Sequence, residues 1–194
     1  MLIPAISVEE DLRREFKVRS LSSELKWYQA GYEDLDLDFD VNSWSRLQIA
    51  SVHNDVILGY FRASIDRDGY TITGLCCLSF ADGPKTKALF AADLRRFLKF
   101  LAERKFKKIS WTVIVGNPAE ASYDRIARKI GARIIGTARY DVFIQGQYYD
   151  RKMYEWINDY YECTHCGHRQ KKEEEVMCWK CGLGEMVYHN PFEW

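Results

Sequence analysis

The 194-residue sequence has no net charge, with 28 Lys and Arg against 28 Asp and Glu. That balance gives no global argument for binding nucleic acid or an anionic membrane. The sequence also has no run of about eighteen apolar residues, which excludes a helix spanning a bilayer. Its first residues lack the basic, apolar, small-residue order of a secretion signal, so the expected location is cytoplasmic. Six cysteines are present, but they are not spaced as a disulfide framework. Four sit in two C-x-x-C pairs, and Cys76 and Cys77 are adjacent within an apolar run, which fits a reduced compartment and a metal.

With 47% hydrophobic residues, the chain can bury one full core and carry a small appendage. The neutral total hides a segregation. Acidic residues gather in the first forty positions, at Glu33, Asp34, Asp36, Asp38 and Asp40, and from Lys85 to Lys108 nine basic residues face only Asp93 and Glu103. A local anion site is expected in that basic stretch, although Lys and Arg opposite an apolar stripe also make an ordinary solvated helix face.

Ser7 with Glu10 three residues later reads as a capping box, and one or two helices are expected over about 7–30. Gly31 to Ser43 reads as an acidic loop. Trp44 to Val52, Asp55 to Ile65 and Tyr70 to Phe80 read as an antiparallel meander with turns at His53-Asn54 and Asp66-Arg67-Asp68-Gly69. Ala81 to Lys87 reads as a loop. Beyond it Phe90, Leu94, Phe97, Leu98 and Leu101 form an apolar helix face. A strand over Lys108 to Val115 follows. Asn117 as cap and Pro118 at the first helical position then start a helix that ends at Gly131. Ala132 to Phe143 and Gln147 to Trp156 read as a hairpin around Gly146. The fold class is α+β, with a mixed, largely antiparallel sheet flanked by helices. Residues 1–158 are expected to form the main domain and 159–194 a small cysteine module.

In that module Cys163-Thr-His-Cys166-Gly167 and Cys178-Trp-Lys-Cys181-Gly182 are separated by eleven residues. Each C-x-x-C turn points two thiolates at one ion, and two turns complete a tetrahedral set. A glycine after each second cysteine suits a positive φ and leaves backbone N–H groups free to bond the sulfurs. The pattern resembles a zinc ribbon with Cys163, Cys166, Cys178 and Cys181 as ligands. A closed four-thiolate set makes the zinc structural, and it would fold a segment too short to build a core. His165 and His168 read as turn residues. Glu173, Glu174 and Glu175 outweigh Lys171 and Lys172, so nucleic acid is the less favoured contact, and a protein partner or a second copy is expected there.

The element order of Trp44 to Trp156 resembles the Gcn5-related N-acetyltransferases (GNAT). The most telling segment is Val115-Gly-Asn-Pro-Ala-Glu-Ala-Ser-Tyr-Asp-Arg-Ile-Ala-Arg-Lys-Ile-Gly131 followed by a hairpin, which looks most like acetyltransferase-like proteins encoded by bacteriophages. The resemblance implies that acetyl-CoA lies between the strands Tyr70 to Phe80 and Lys108 to Val115. It places Leu78 and Phe80 on the first strand, Lys85, Thr86, Lys87 and Ala88 at the pyrophosphate, and Asn117 near the pantetheine arm. Free N–H groups at a helix start are a general phosphate site.

The sequence departs from the family in three places. Gly83, Pro84, Lys85, Thr86, Lys87 and Ala88 match the family's glycine-rich loop only at the last position. Ala127 stands where many members carry a tyrosine acid. The strand Thr73 to Phe80 has no glutamate base. Ser79, Tyr123, Asp124 and His53 are alternative proton carriers, each with an ordinary structural reading beside it, so no catalytic residue is assigned. Three functions stay open: an acetyl-CoA-dependent N-acyltransferase of unknown amine acceptor, a non-catalytic scaffold of this fold such as a phage virion component, and a nucleic-acid-modifying relative.

Overall fold

The computed structural model describes residues 1–22, 26–28, 36–39, 44–104, 106–158, 160–166, 169–171 and 180–188. In chain order it runs β1 (Leu2–Pro4), a 3-10 turn (Ala5–Val8), α1 (Glu9–Ser20), β2 (Arg46–His53), β3 (Val56–Asp66) and β4 (Thr71–Ser79). It continues with α2 (Gly83–Glu103), β5 (Lys108–Ile114), α3 (Glu120–Ile130), β6 (Arg133–Ile144), β7 (Gln147–Ile157), β8 (Tyr160–Cys163), β9 (Arg169–Lys171) and β10 (Met186–Tyr188). The architecture is α+β, as expected.

Local turn chemistry sets the frame. Asn54 and Asp55, at φ 50° and 61°, join β2 to β3, and Gln145 and Gly146, at φ 49° and 81°, join β6 to β7. Two residues with positive φ match the right-handed twist of the strands they connect. Between β3 and β4 the Asp66 carboxylate accepts the N–H groups of Asp68 (3.1 Å) and Gly69 (3.3 Å), a side-chain-closed turn.

These hairpins assemble a seven-stranded sheet in the order β1-β2-β3-β4-β5-β7-β6. Every neighbouring pair is antiparallel except β4 and β5. Antiparallel neighbours need only tight turns, whereas a parallel pair needs a crossover, here α2. On one face of the sheet α2 and α3 cover a core in which Phe61 stacks on Phe90 (5.1 Å) and Phe97 (5.2 Å), and Trp111 on Tyr154 (5.2 Å). On the other face Leu12 and Phe16 of α1 pack on Ala50, Tyr60 and Phe80. The α2 helix lies so close to β3 that a Cβ on Gly59 would overlap the Phe90 ring and the Leu78 carbonyl oxygen.

Several expectations are corrected. The helix near the N-terminus begins at Glu9 with Val8 as cap, and Ser7 donates instead to the Pro4 carbonyl at 2.6 Å. Leu2–Pro4 is a strand pairing with β2, which so short and proline-ended a segment did not signal. The expected loop over Ala81 to Lys87 is largely helix, because α2 starts at Gly83 with Pro84 in its first turn, where a missing N–H costs nothing. Asn117 does not cap α3 directly. Its side chain accepts the Ala119 N–H at 2.8 Å and builds a turn that precedes the helix at Glu120. Gly131 ends α3 at φ 74°, as its position suggested. Most of the acidic stretch Gly31 to Ser43 lies outside the described residues.

One buried charge ties α2 to the far strands. Asp93 is fully buried and accepts from Ser51 Oγ (2.8 Å), Arg96 (2.9 Å) and the Met1 ammonium (3.2 Å), with His53 Nε2 at 2.8 Å. Burial pushes its pKa up, but the hydrogen bonds from His53, Ser51 and the ammonium outweigh burial and hold it below the usual carboxylate range.

Two stability outcomes follow from this packing. Asp93→Asn should destabilise by about 2 kcal/mol, because it removes the buried charge that Ser51, His53, Arg96 and the Met1 ammonium satisfy. The Asp93 contribution should be complete above the unfolded pKa of about 3.9 and fade as pH falls through its lower folded value, as read by urea titration across pH. Gly59→Ala should cost about 2 kcal/mol in the same assay, since neither the ring nor the carbonyl can retreat freely.

Candidate functional site

The β4–β5 ladder stops early. Ile72 pairs with Ile109 and Leu75 with Trp111, and the described pairing goes no further. Thr73 is an extra residue against both neighbours, since the β3 register steps from Ser64–Gly74 to Ile65–Ile72. Such a bulge bends its strand and increases local twist, which carries the C-terminal half of β4 away from β5.

The parted strands leave a cleft of about 360 Å³. Its walls on the α2 and α3 side are Leu75, Cys77, Trp111, Val113 and Tyr123, and on the α1 side Arg62, Ser64, Cys76, Leu78, Ile114 and Arg151. Tyr123 of α3 and Cys77 of β4 share a hydrogen bond inside it. Burial pushes the Cys77 thiol up to about 12 and the Tyr123 hydroxyl well above its usual value. Both are therefore neutral at physiological pH, which keeps Cys77 a thiol and not a thiolate. Trp111 also lines the cleft, and its buried Nε1–H has no acceptor among the described residues.

A short turn at residues 26–28 straps the cleft mouth. Tyr28 donates its hydroxyl to the Ser79 carbonyl at the end of β4. Trp27 meets Tyr149 of β7 edge-on at 5.3 Å and sits 3.7 Å from where a Cβ on Gly116 would lie. Lys26 bonds the Tyr149 hydroxyl and lies 4.7 Å from the centre of its ring. Behind the opposite wall, Lys152 binds Glu120 and Asp124, Tyr154 donates to Asp124 at 2.5 Å, and the Gly116 N–H donates to Glu120 at 2.9 Å. The Tyr154 hydroxyl holds Asp124 below the carboxylate range, and Lys152 does the same for Glu120. These bonds fix the β5–α3 turn.

The residues expected around acetyl-CoA fall into separate places. Leu78 and Asn117 line the cleft. Phe80 and Thr86 instead border a second hollow beside α1, and Lys85, Lys87 and Ala88 are exposed on the first turns of α2. At that helix start the Asp82 carboxylate is held by a two-pronged Arg19 contact at 2.9 and 2.6 Å. His53 and Ser79 lie at strand ends. Sequence reasoning missed Arg62, Arg151 and Trp27, because only the assembled sheet brings β3, β7 and residue 27 to one opening.

In the cysteine module β8 pairs with β9 and β10. The sulfurs of Cys163, Cys166 and Cys181 all lie within 4.8 Å of one another, with Cys163 and Cys181 at 3.6 Å. This cluster can hold a metal. Cys178 and His168 lie outside the described residues, and His165 contributes its backbone N–H to Cys163 Sγ at 3.4 Å. Backbone N–H groups of Leu183 and Gly184, with the neighbouring cysteines, bring the Cys181 pKa down to about 6. Donor peptides aimed at sulfur are what a metal thiolate needs. Gly182 has φ 65°, and Gly184 is required because a Cβ there would collide with Cys163 Sγ.

No family model matches the sequence, and no curated protein matches it. Solved structures do, and they define the class: the main sheet has the fold of the GNAT acetyltransferases. It is similar to a probable GNAT-family acetyltransferase from Chromobacterium violaceum, at 18% identity over 81% of this chain and 85% of that one, with a TM-score of 0.59. A chimera of spermidine N-acetyltransferase SpeG from Vibrio cholerae and hSSAT aligns at 16% identity over 60% of this chain and 70% of that one, TM-score 0.50. The chain spans 63% of the length of another probable acetyltransferase, at 15% identity, 59% coverage of this chain and TM-score 0.49, a likeness that adds nothing further. At these identities the similarity establishes the fold alone.

Cys181→Ser should lower the metal retained per chain, read by plasma mass spectrometry. Gly184→Ala should lower it too although it removes no donor. In metal-stripped protein, iodoacetamide should alkylate Cys181 increasingly as pH rises through about 6, below the ordinary thiol range.

Proposed function

We propose that the chain is an acetyl-CoA-dependent N-acyltransferase whose thioester arm lies in the β4–β5 cleft. The observation that carries this reading is the parting of two parallel strands beyond Leu75–Trp111. It opens a slot with an apolar wall and an orphaned indole N–H at Trp111 that a carbonyl-bearing chain would satisfy. The residues fit the arm of the cosubstrate well. At its phosphate end Lys85, Thr86, Lys87 and Ala88 would supply the α2 N-terminus and two ammonium groups.

Acetyl-CoA brings the activated acyl group. The chain's own part is to hold an amine against it, exclude water and provide a neutral hydroxyl donor at Tyr123. Cys163, Cys166 and Cys181, with Cys178 as fourth thiolate, would hold a structural zinc that folds residues 159–194 as a separate module for protein contact.

Titration calorimetry should show acetyl-CoA binding. Leu78→Trp, which fills the slot, should weaken it about tenfold or more with an unchanged thermal midpoint, and Lys85→Glu with Lys87→Glu should weaken it and flatten its salt dependence. Absence of binding heat with both acetyl-CoA and CoA would remove the proposal. The Arg19–Asp82 pair favours a second reading, a non-catalytic scaffold, because it sets a carboxylate beside the helix start where phosphates would rest. That reading predicts no binding until Asp82 is neutralised or at all.

A further inference from the structure

Resting on the acyl-transfer reading of the same cleft, we infer that its α1-side mouth binds a carboxylate, so that the acceptor is a small amine carrying its own carboxylate, such as an amino acid, and not a polyamine.

The two sides of the slot differ in chemistry. On the α2 and α3 side the wall is apolar apart from a half-buried thiol, an indole N–H and a hydroxyl. On the α1 side Arg62 of β3 follows Tyr60 by two residues on the face that α1 covers only in part, and Arg151 of β7 stands across the opening. Between them lie Ser64, Thr73 and Asn117, with Trp27 at the rim. No Asp or Glu lines this cleft among the described residues. A polyamine needs carboxylates to replace its hydration, and two guanidinium groups repel it.

Arg151 is the better placed of the two. Its guanidinium forms an ion pair with Asp141, Nε to carboxylate 2.7 Å, and no second partner is found for it among the described residues. A planar fork held at one edge and open at the other suits two-point recognition of a carboxylate. Arg62 is engaged within the protein and enters through its charge.

In the reaction so framed, the neutral amine nitrogen attacks the thioester carbonyl carbon of acetyl-CoA. A C–N bond forms and the C–S bond breaks. The proton lost by nitrogen ends on the departing thiolate, giving the N-acetyl compound and free CoA.

The test compares each amino acid with the amine left when its carboxylate is removed, L-phenylalanine with phenethylamine and L-lysine with cadaverine, and adds spermidine. Binding to the full chain is followed by calorimetry with and without CoA, and products by mass spectrometry with acetyl-CoA. The carboxylate-bearing member should bind about tenfold tighter or more, and Arg151→Gln should erase that difference with an unchanged thermal midpoint, Arg151→Lys restoring part of it. Equal or tighter binding of the decarboxylated amines or of spermidine overturns the inference, as does failure of every amino acid to bind. If acetyl-CoA itself does not bind, the acyl-transfer reading falls, and the carboxylate comparison without CoA still decides this one.

Discussion

The parting of β4 from β5 is the constraint on which the rest of the main sheet depends. A parallel pair at the centre of an otherwise antiparallel sheet cannot be closed by a turn, so α2 must cross over, and it seals the face where Phe61, Phe90 and Phe97 stack. The extra residue at Thr73 then bends β4. Ladder bonds are given up beyond Leu75–Trp111, and the loss is tolerable only if other groups occupy the gap. Tyr123 with Cys77 does part of that from within, and the Tyr28 hydroxyl serves the Ser79 carbonyl at the strand end. The Trp111 N–H is left without an acceptor among the described residues.

Because side chains alternate along each strand, one slot acquires two unlike walls. Odd positions of β4 and β5, Leu75, Cys77, Trp111 and Val113, face α2 and α3. Even positions, Cys76, Leu78, Thr112 and Ile114, point to the opposite face, where Leu78 joins the α1 cluster and Ile114 packs with Val142 and Ile144. The same gap therefore presents an apolar surface on one face of the sheet and a charged one on the other. The network of Lys152, Glu120, Asp124 and Tyr154 holds the β5–α3 turn on one side. The Lys26, Trp27 and Tyr149 cluster holds the mouth on the other. Both sets tie β5 and its successors down while β4 diverges.

Much of the fold was legible in the sequence, because turn residues and apolar periodicity are local. The β2, β3 and β4 meander, the apolar face of α2, the Gly131 stop and the Gly146 hairpin stand within a few residues of their expected positions. What periodicity could not carry was pairing at a distance. Leu2–Pro4 is a strand only because β2 offers it an edge, and β7 lies between β5 and β6 although it follows β6 in the chain. The start of α2 was misplaced for a different reason. Gly-Pro reads as a loop signal, yet proline at a helix start gives up no bond. The candidate site was half legible. Leu78 and Asn117 belong to the strand and turn that frame the slot. Arg62 and Arg151 belong to strands whose neighbourhood no sequence window contains. His53 looked like a turn residue and instead ends β2 and meets Asp93 of α2.

The cysteine module follows the opposite logic, and this explains why it was the more legible of the two. Its described part is three short strands beside a cysteine cluster that can hold a metal, and that cluster is written in cysteine and glycine spacing. Even there one requirement escaped the pattern. Gly182 was expected from its place after a ligand, but Gly184 matters through space, since the Cys163 sulfur occupies the position of its missing Cβ and its N–H helps hold the Cys181 thiolate. The peptide from 182 to 184 is thus pinned against two sulfurs from different turns. A metal held by this cluster would bridge those turns and stabilise their backbone geometry.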